Sequence, residues 1–232
     1  MLCIGHRGAR GYAPENTLES IEIALNQGAK WIEVDIRQHS GELVVIHDKY
    51  LERTTNGHGH IYQHDLSQLR AFQSSNLQGI PLLSEVIEQV NRRAVINIEL
   101  KDRASALPTI KLIEYFIERG WHYDDFLVSS FYHHALRDIK LAQPLIKTGA
   151  LCASVMIDYA KFAQDLGAWS INLCSESINQ EIIDDAHQRG LKVLIYTVND
   201  PRLFSEFEAM GADGVFTDYP QRFFEWKGSF QK

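Results

Sequence analysis

Residues 31–36 read WIEVDI, and this short stretch contains the pattern that decides the fold. Successive side chains of a β-strand point to opposite faces, so Glu33 and Asp35 share one face and the apolar residues between them share the other. The apolar face is suited to packing against helices, and the acidic face is suited to the interior of a barrel. We therefore predict a strand with helices behind it and a functional site in front of it.

Short, apolar and largely β-branched runs recur along the chain, as expected for strands that are buried on both faces. The predicted strands are residues 2–5, 31–36, 95–100, 126–130, 146–151, 170–174, 192–196 and 214–217. Amphipathic helical patterns fill most of the gaps, and the first one begins after Asn16 or Thr17 as N-cap and ends at Gly28. This alternation of strand and helix, with eight strands, predicts an α/β fold of the (β/α)8 TIM-barrel type.

One segment interrupts this alternation. After the second strand, residues 42–47 are predicted to complete a hairpin. Residues 48–80 are polar and contain several glycines, and the next helix is predicted to start near Leu83. We interpret residues 48–80 as a short insertion at the barrel mouth, too small to be a second domain with its own core. The chain, 1–232, is then a single TIM-barrel domain.

Composition excludes several classes of function. The chain has 232 residues, 45% of them apolar, and a net charge of -7, which argues against a general nucleic-acid binder because the phosphate backbone requires a basic face. Its three cysteines lack C-x-x-C spacing, so we expect neither a disulfide scaffold nor a zinc site. No signal-peptide pattern is visible, and no apolar run approaches the ~18 residues of a membrane span. We expect a cytoplasmic protein without stable membrane insertion.

Residues at the carboxyl ends of the barrel strands form the active site in this kind of fold. Here these ends carry Glu33 and Asp35 on one strand, and Glu99 followed by Lys101 on another. Carboxylates inside a barrel repel each other and lose hydration, and a bound cation would offset both costs. Three carboxylates without cysteine favour one hard divalent cation, Mg²⁺ or Ca²⁺. A solvated edge strand is the alternative, but the intervening residues are apolar in both runs.

Two histidines and two cations complete the candidate site. His6 and His47 each close an apolar strand pattern. A lone histidine at such a position is more often structural, but two beside a metal site favour proton transfer. Arg7 and Lys101 would supply fixed positive charge for an anion such as phosphate. The glycine spacing of residues 5–11 matches no nucleotide-binding motif and indicates a tight turn that brings backbone close to a ligand.

An ordered series of motifs resembles the glycerophosphodiester phosphodiesterase family over nearly the whole chain. The series comprises HRGARGYAPENT (6–17), WIEVDIRQ (31–38), IHDKYLERTTNG (46–57), INIELK (96–101), LVSSF (127–131) and GVFTDYP (214–220). The resemblance implies a TIM barrel with a small insertion after its second strand. It also implies roles for individual residues: acid-base histidines at His6 and His47, metal ligands at Glu33, Asp35 and Glu99, and substrate-binding residues at Arg7, Lys101, Phe131 and Tyr196.

Two positions depart from the family pattern. Residues 74–79 stand where many relatives have a longer aromatic and acidic segment, and Tyr196 occupies a position that is often tryptophan. Neither departure touches the proposed chemistry, but both could change the wall of the substrate pocket.

The function implied by the resemblance is metal-dependent hydrolysis of small glycerophosphodiesters to sn-glycerol 3-phosphate and an alcohol, in which a substrate hydroxyl attacks phosphorus before water. A lysophospholipase D or phospholipase-C-like enzyme is one alternative, but its lipid substrate would require an exposed apolar surface, and residues 48–80 contain no apolar cluster. A barrel that binds phosphodiesters without turnover is another, and it would be expected to lack a histidine or a metal ligand. The native metal, the alcohol and the oligomeric state, a homodimer included, stay open.

Overall fold

Eight parallel β-strands close into a barrel with helices on its outer side, as seen in a computed structural model that describes residues 1–229. The strands are β1 (Leu2–Gly5), β2 (Trp31–His39), β3 (Glu42–Val45), β4 (Val95–Leu100), β5 (Phe126–Ser130), β6 (Lys147–Cys152), β7 (Ser170–Cys174), β8 (Lys192–Tyr196) and β9 (Gly214–Thr217). All except β3 belong to the barrel, so the predicted (β/α)8 fold is confirmed. Residues 230–232, at the end of the predicted domain, lie outside the described part of the chain.

Helices follow the barrel strands along the chain, two of them lie between β3 and β4, and the last follows β9. They are α1 (Leu18–Asn26), α2 (Leu66–Ala71), α3 (Leu83–Val90), α4 (Ala106–Ile117), α5 (His133–Ala142), α6 (Lys161–Asp165), α7 (Gln180–Gln188), α8 (Pro201–Met210) and α9 (Pro220–Ser229). Of the two N-cap candidates for α1, the structure selects Thr17, whose hydroxyl accepts a hydrogen bond from the Ser20 amide. None of the helices within residues 1–229 is both long and apolar enough to cross a membrane.

Strand β1 closes the barrel because it pairs with β9 on one side and with β2 on the other. Strand β3 runs antiparallel to β2 outside the barrel. This pairing extends β2 to His39, beyond the predicted end at Ile36, because Arg37 lies opposite Val44 and His39 lies opposite Glu42. The predicted hairpin strand 42–47 is shorter in the structure and ends at Val45.

The side-chain alternation of β2 separates the core from the site. Ile32, Val34 and Ile36 are fully buried in the apolar layer between the barrel and its helices. Glu33 and Asp35 point to the other side, into the barrel, and are also buried. The apolar face of β2 therefore packs in the core, and the acidic face of β2 points into the barrel, where the candidate site lies.

The segment between β3 and α3 packs around a small apolar cluster of its own. Its fully buried members are Val44, Leu51, Ile61 and Leu69, joined by Ile46 and Ile80. A 3-10 turn (Ile61–Gln63) and α2 supply part of this cluster. The segment was predicted to be polar and without a core, and the apolar residues scattered through it explain the difference. Since the cluster adjoins β3, the segment lies beside His47, which closes the hairpin.

Candidate active site

The candidate site is a cavity of about 260 Å³ inside the barrel. Of the nine predicted site residues, eight line this cavity and the ninth, Asp35, lies buried behind them. The eight are His6, Arg7, Glu33, His47, Glu99, Lys101, Phe131 and Tyr196. The structure thus brings together side chains from five parallel strands or the residues that follow them, and from the hairpin.

Strand register places the three carboxylates beside one another. In the parallel pairing of β2 with β4, Asp35 lies directly opposite Glu99. One oxygen from each of Glu33, Asp35 and Glu99 lies within 4.8 Å of the others, and all three residues are buried. Buried carboxylates at this separation repel strongly, so the cluster requires positive charge nearby.

Two protein cations supply part of that charge. The Arg7 guanidinium Nε lies 3.0 Å from Asp35 Oδ2, and the Lys101 Nζ lies 3.1 Å from Asp35 Oδ1 and 2.5 Å from Glu99 Oε1. Burial raises the pKa of Asp35, but Lys101 and Arg7 outweigh it and hold that pKa below its usual value. Asp35 is therefore ionised at neutral pH.

The other two carboxyl groups, of Glu33 and Glu99, have raised pKa values. Burial, followed by the charges of Asp35 and Glu99, raises the pKa of Glu33 well above its usual value. Burial and the charge of Asp35 raise the pKa of Glu99 to about 7. Without a further cation, the site is thus under electrostatic strain at the positions of Glu33 and Glu99.

The donor set fits a hard divalent cation. Glu33 Oε1 is a buried oxygen without a hydrogen-bond partner within residues 1–229, and Asp35 Oδ1 has only its ion pair with Lys101. A buried acceptor in this state is costly, and a metal ion would satisfy both oxygens. Because all candidate ligands are carboxylate oxygens, the set suits Mg²⁺ or Ca²⁺ better than a thiophilic metal.

The backbone at the end of β1 is shaped to hold this cluster. Arg7 adopts φ 53° and Asn16 adopts φ 58°, conformations that are uncommon outside glycine. From these positions the Arg7 amide donates to Glu33 Oε2 at 2.7 Å, and the Asn16 side chain donates to Asp35 Oδ2 at 2.9 Å. The strained residues thus contact the carboxylates directly.

The nearby glycines serve protein packing. A Cβ at Gly8 would lie 2.5 Å from the Ser20 hydroxyl oxygen, and a Cβ at Gly11 would lie 2.3 Å from the Tyr219 ring. At Gly8 and Gly11, the absence of a side chain is thus required by contacts within the protein. They let the loop after β1 approach α1 and Tyr219.

Each histidine is paired with an aspartate through Nδ1. His6 Nδ1 lies 2.7 Å from Asp218 Oδ1, and His47 Nδ1 lies 2.6 Å from Asp48 Oδ1. An ionised carboxylate only accepts hydrogen bonds, so each Nδ1 carries the proton and each neutral ring presents the Nε2 lone pair elsewhere. Burial lowers the pKa of His6 and of His47 and outweighs the opposing effect of the aspartates.

An alternating chain of charges ties the first loop to the insertion. Arg7 Nη1 donates to Glu15 at 2.6 Å, Arg53 donates to both Glu15 oxygens at 2.7 and 2.8 Å, and Arg53 also contacts Asp48. The chain ends at His47, which Asp48 holds. Arg7 and His47 are therefore fixed by a shared network.

Sequence reasoning assigned no role to several of these partners. Glu15, Asp48, Arg53 and Asp218 all lie within the motifs that resemble the family, so the signal was present. Asn16 was considered only as a helix N-cap, and the structure places its side chain on Asp35 instead. Asp218 is 212 positions from His6 and Arg53 is 38 positions from Glu15, so only the folded chain identifies these pairs. Asp48, which follows His47 directly, could have been recognised from the sequence.

Phe131 and Tyr196 form the apolar wall of the cavity. Their rings meet edge to face with centroids 5.9 Å apart. The Tyr196 hydroxyl donates to the Cys152 carbonyl at 3.1 Å, which fixes the ring against the loop after β6. Asn97 and Ser129 supply polar groups to the cavity wall, and both are almost fully buried. Their side-chain polar atoms have no hydrogen-bond partner within the described residues.

Comparison with known proteins gives a consistent family. Residues 6–222 match the model of the glycerophosphoryl diester phosphodiesterase family. The chain is 33% identical over 230 residues to a glycerophosphodiester phosphodiesterase of Bacillus altitudinis, with 94% of each chain covered. It is 32% identical over 231 residues to one of Caldanaerobacter subterraneus, with 95% of each covered.

A solved structure is similar over the full length. It is a phosphodiesterase of Oleispira antarctica in complex with the product sn-glycerol-3-phosphate. The TM-score is 0.89 and the identity 32%, and the comparison covers 100% of this chain and 97% of the other. This similarity extends to the strands that carry the cavity.

We expect Glu33→Gln to stabilise the protein in EDTA at neutral pH. The pKa of Glu33 in the native state is raised well above the usual value of a glutamate, mainly by burial. Ionisation of this carboxyl therefore weakens the native state as pH rises above the pKa of the unfolded chain. Glutamine removes the charge. The measurement is thermal unfolding from pH 4 to 8, where 1 kcal/mol shifts the Tm of a domain of this size by about 2–4 °C.

The stabilisation should be absent at the acid end, where Glu33 is protonated in both states. Added Mg²⁺ or Ca²⁺ should raise the Tm of the wild type more than that of the variant. A large loss of stability in EDTA would show instead that the Glu33 carboxylate is a structural requirement.

Proposed function

The chain belongs to the glycerophosphoryl diester phosphodiesterase family, and we propose that it hydrolyses glycerophosphodiesters to sn-glycerol 3-phosphate and an alcohol with one divalent cation and two histidines. The observation that carries the proposal is the convergence of His6, His47 and the three carboxylates on one cavity. The product named in the Oleispira antarctica structure agrees with it.

Glu33, Asp35 and Glu99 would hold the cation. When bound, the cation would neutralise negative charge on the phosphate and favour ionisation of a nearby hydroxyl. Its positive charge would also relieve the repulsion that raises the pKa values of Glu33 and Glu99. The close approach of the carboxylates, which makes them repel one another when no cation is bound, would also let them bind one cation together.

Arg7 and Lys101 would bind the phosphate oxygens. Both are nearly buried and both contact Asp35, so their charges are fixed beside the carboxylates. Glu15 holds the Arg7 guanidinium on its Nη1 edge, which sets the plane of the group. A positioned guanidinium loses less side-chain entropy when it binds a phosphate than a mobile one would.

His6 and His47 would move the protons. The Nε2 atom of one histidine accepts a proton from the attacking hydroxyl, and the other histidine donates a proton to the oxygen of the departing alcohol. Lowered pKa values keep a neutral ring ready as base at pH 7. The negative charge of the phosphodiester and of the leaving alkoxide favours the protonated form of the second ring. Asp218 and Asp48 hold the two rings in place and stabilise the imidazolium when it forms.

The attacking hydroxyl would come from the glycerol of the substrate itself. A hydroxyl tethered next to the phosphoester reacts with an effective molarity that can reach ~10⁵ M or more, whereas water must be positioned from bulk. Attack expels the alcohol and gives a cyclic phosphate, which water then opens to glycerol 3-phosphate. Asn97 and Ser129 offer buried polar atoms that would hydrogen bond to glycerol hydroxyls.

We expect hydrolysis of glycerophosphocholine to stop in EDTA and to return with Mg²⁺ or Ca²⁺, since the carboxylate cluster would be left without its cation. The assay is release of sn-glycerol 3-phosphate, with the enzyme dialysed and then titrated with each metal. Full activity in metal-free protein would contradict the cation. Binding of glycerophosphocholine without turnover at any metal concentration would indicate the non-catalytic barrel.

His6→Ala and His47→Ala are each expected to lower kcat by roughly 10²–10⁴-fold, the usual scale for loss of a general acid or base. His58→Ala and His133→Ala serve as controls and should stay near wild type. His58 lies in the insertion loop, and the His133 ring contacts the Leu151 carbonyl. If His58→Ala reduces kcat as much as His47→Ala, the loop histidines belong to the site.

An analogue of glycerophosphocholine that lacks the 2-hydroxyl should bind with similar affinity but turn over orders of magnitude more slowly. The phosphate contacts of Arg7 and Lys101 are retained, whereas the tethered nucleophile is lost. The measurement is kcat and KM for the analogue beside the parent compound. Equal kcat values would show that water attacks phosphorus directly.

A further inference from the structure

A groove of about 690 Å³ adjoins the active-site cavity, between the first loop and the insertion. It is lined by residues of three segments, 10–15, 53–56 and 73–77, and we name it the side groove. Arg10 lines both the side groove and the cavity, and Glu15, which holds the Arg7 guanidinium, also lines the side groove. Its volume lies within the range of small-molecule sites, about 300–1,000 Å³. The side groove thus continues the cavity from the residues proposed to bind phosphate.

Neutral hydrogen-bonding groups make up most of the wall of the side groove. They are the hydroxyls and amides of Thr54, Thr55, Asn56, Gln73, Ser74 and Ser75. Within residues 1–229, the side-chain polar atoms of Thr54, Gln73 and Ser75 make no hydrogen bond to the protein. These three side chains can therefore exchange bound water for the hydroxyl groups of a ligand.

The charged members of the wall are already paired. Arg53 binds both oxygens of Glu15 and contacts Asp48, and the Arg10 Nε lies 3.3 Å from Asp218 Oδ1. Since each guanidinium faces a carboxylate, the two arginines offer N–H donors rather than uncompensated charge. A ligand cation would approach two guanidinium groups, and a ligand anion would have to compete with carboxylates that are already bound.

The side groove also lacks the groups that bind a quaternary ammonium ion. Such an ion is held against aromatic faces, and the described lining of the side groove contains no Phe, Tyr or Trp. Residues 74–79, where many relatives have an aromatic and acidic segment, contribute Ser74, Ser75 and Leu77 to the wall instead. Phe131 and Tyr196 line the cavity but not the side groove. The wall therefore suits hydroxyl groups better than choline.

The alcohol of the substrate is the part that the side groove can receive. In the proposed function, the glycerol lies beside Asn97 and Ser129 and the phosphate lies beside Arg7, all within a cavity of about 260 Å³. The alcohol on the other side of the phosphate has to extend beyond this cavity. Arg10 is shared by the cavity and the side groove, so it lies on the path of the alcohol.

We propose that the side groove binds the alcohol of the substrate and selects an uncharged polyol, such as inositol or glycerol, over choline. The proposal rests on the proposed phosphodiesterase function. Arg10 donates to a polyol hydroxyl where the cavity meets the side groove, and Thr54, Gln73 and Ser75 bond to hydroxyls further along. Choline has no free hydroxyl once it is esterified to phosphate, so it uses none of these groups.

The test compares kcat/KM for glycerophosphoinositol and glycerophosphocholine in the wild type and in the double variant Thr54→Val, Gln73→Met. Both substitutions keep the approximate size of the side chain and remove its hydrogen bonds. Gln188→Met is the matched control, because Gln188 is exposed at the end of α7, where the chain turns back to the start of β8 and away from the cavity. Turnover is measured as release of sn-glycerol 3-phosphate in the presence of Mg²⁺. Calorimetry on His6→Ala, with and without the double substitution, gives the dissociation constant of each diester.

The wild type should prefer glycerophosphoinositol by at least about tenfold in kcat/KM. The double variant should lose about tenfold on glycerophosphoinositol, the combined effect of two neutral hydrogen bonds, so that the ratio between the two substrates falls toward one. The dissociation constant of glycerophosphoinositol should rise by a similar factor. Gln188→Met should keep the wild-type ratio.

Several results would overturn the proposal. A wild type that prefers glycerophosphocholine would do so, and so would a preference for glycerophosphoinositol that the double variant retains. An equal loss on both substrates would assign Thr54 and Gln73 to the fold rather than to the alcohol. If no protein releases sn-glycerol 3-phosphate while binding of glycerophosphoinositol still depends on Thr54 and Gln73, the proposed function fails and the polyol site stands.

Discussion

One oxygen from each of three carboxylates lies within 4.8 Å of the others inside the barrel. Most contacts of the site offset the electrostatic repulsion among these carboxylates. Water cannot screen charges that are buried, so the protein must place positive charge and hydrogen-bond donors within contact distance. Arg7, Lys101, the Arg7 amide and the Asn16 side chain do so. Glu33 Oε1, which has no hydrogen-bond partner within residues 1–229, lies in the cluster that could hold a metal ion. A site with fewer protein donors would be harder to fold, and one with more would have less need of metal.

The same constraint explains why backbone geometry and strand pairing are so specific here. Asp35 faces Glu99 only in the observed register of β2 and β4, and a shift by one residue would turn every carboxylate toward the helices. The apolar residues on the back of β2 prevent this shift, because the core would lose them. The core thus stabilises a charged cluster that would not assemble by itself.

The barrel and its acidic face could be predicted from the sequence because strand alternation is local. The two faces of WIEVDI, and of INIELK, follow from a period of two residues. The extension of β2 to His39 could not be predicted from a local pattern, because it depends on pairing with β3. The aspartate of His6 also lay beyond local reasoning, since Asp218 is 212 positions away. Contacts of this kind depend on closure of the barrel by β1 and β9, which no local pattern encodes.

The charged groups are also unevenly distributed around the barrel. Strands β1, β2 and β4 and the hairpin carry the carboxylates, cations and histidines, all joined by contacts that span the first loop and the insertion. The inward residues of β5 to β7 are neutral, as Ser129, Thr148 and Asn172 illustrate. Within residues 1–229, the loops after these neutral strands make no hydrogen bond or ion pair to the Arg7–Glu15–Arg53–Asp48 network. Substitutions in these loops would therefore alter the wall of the cavity beside Phe131 without removing a partner from that network.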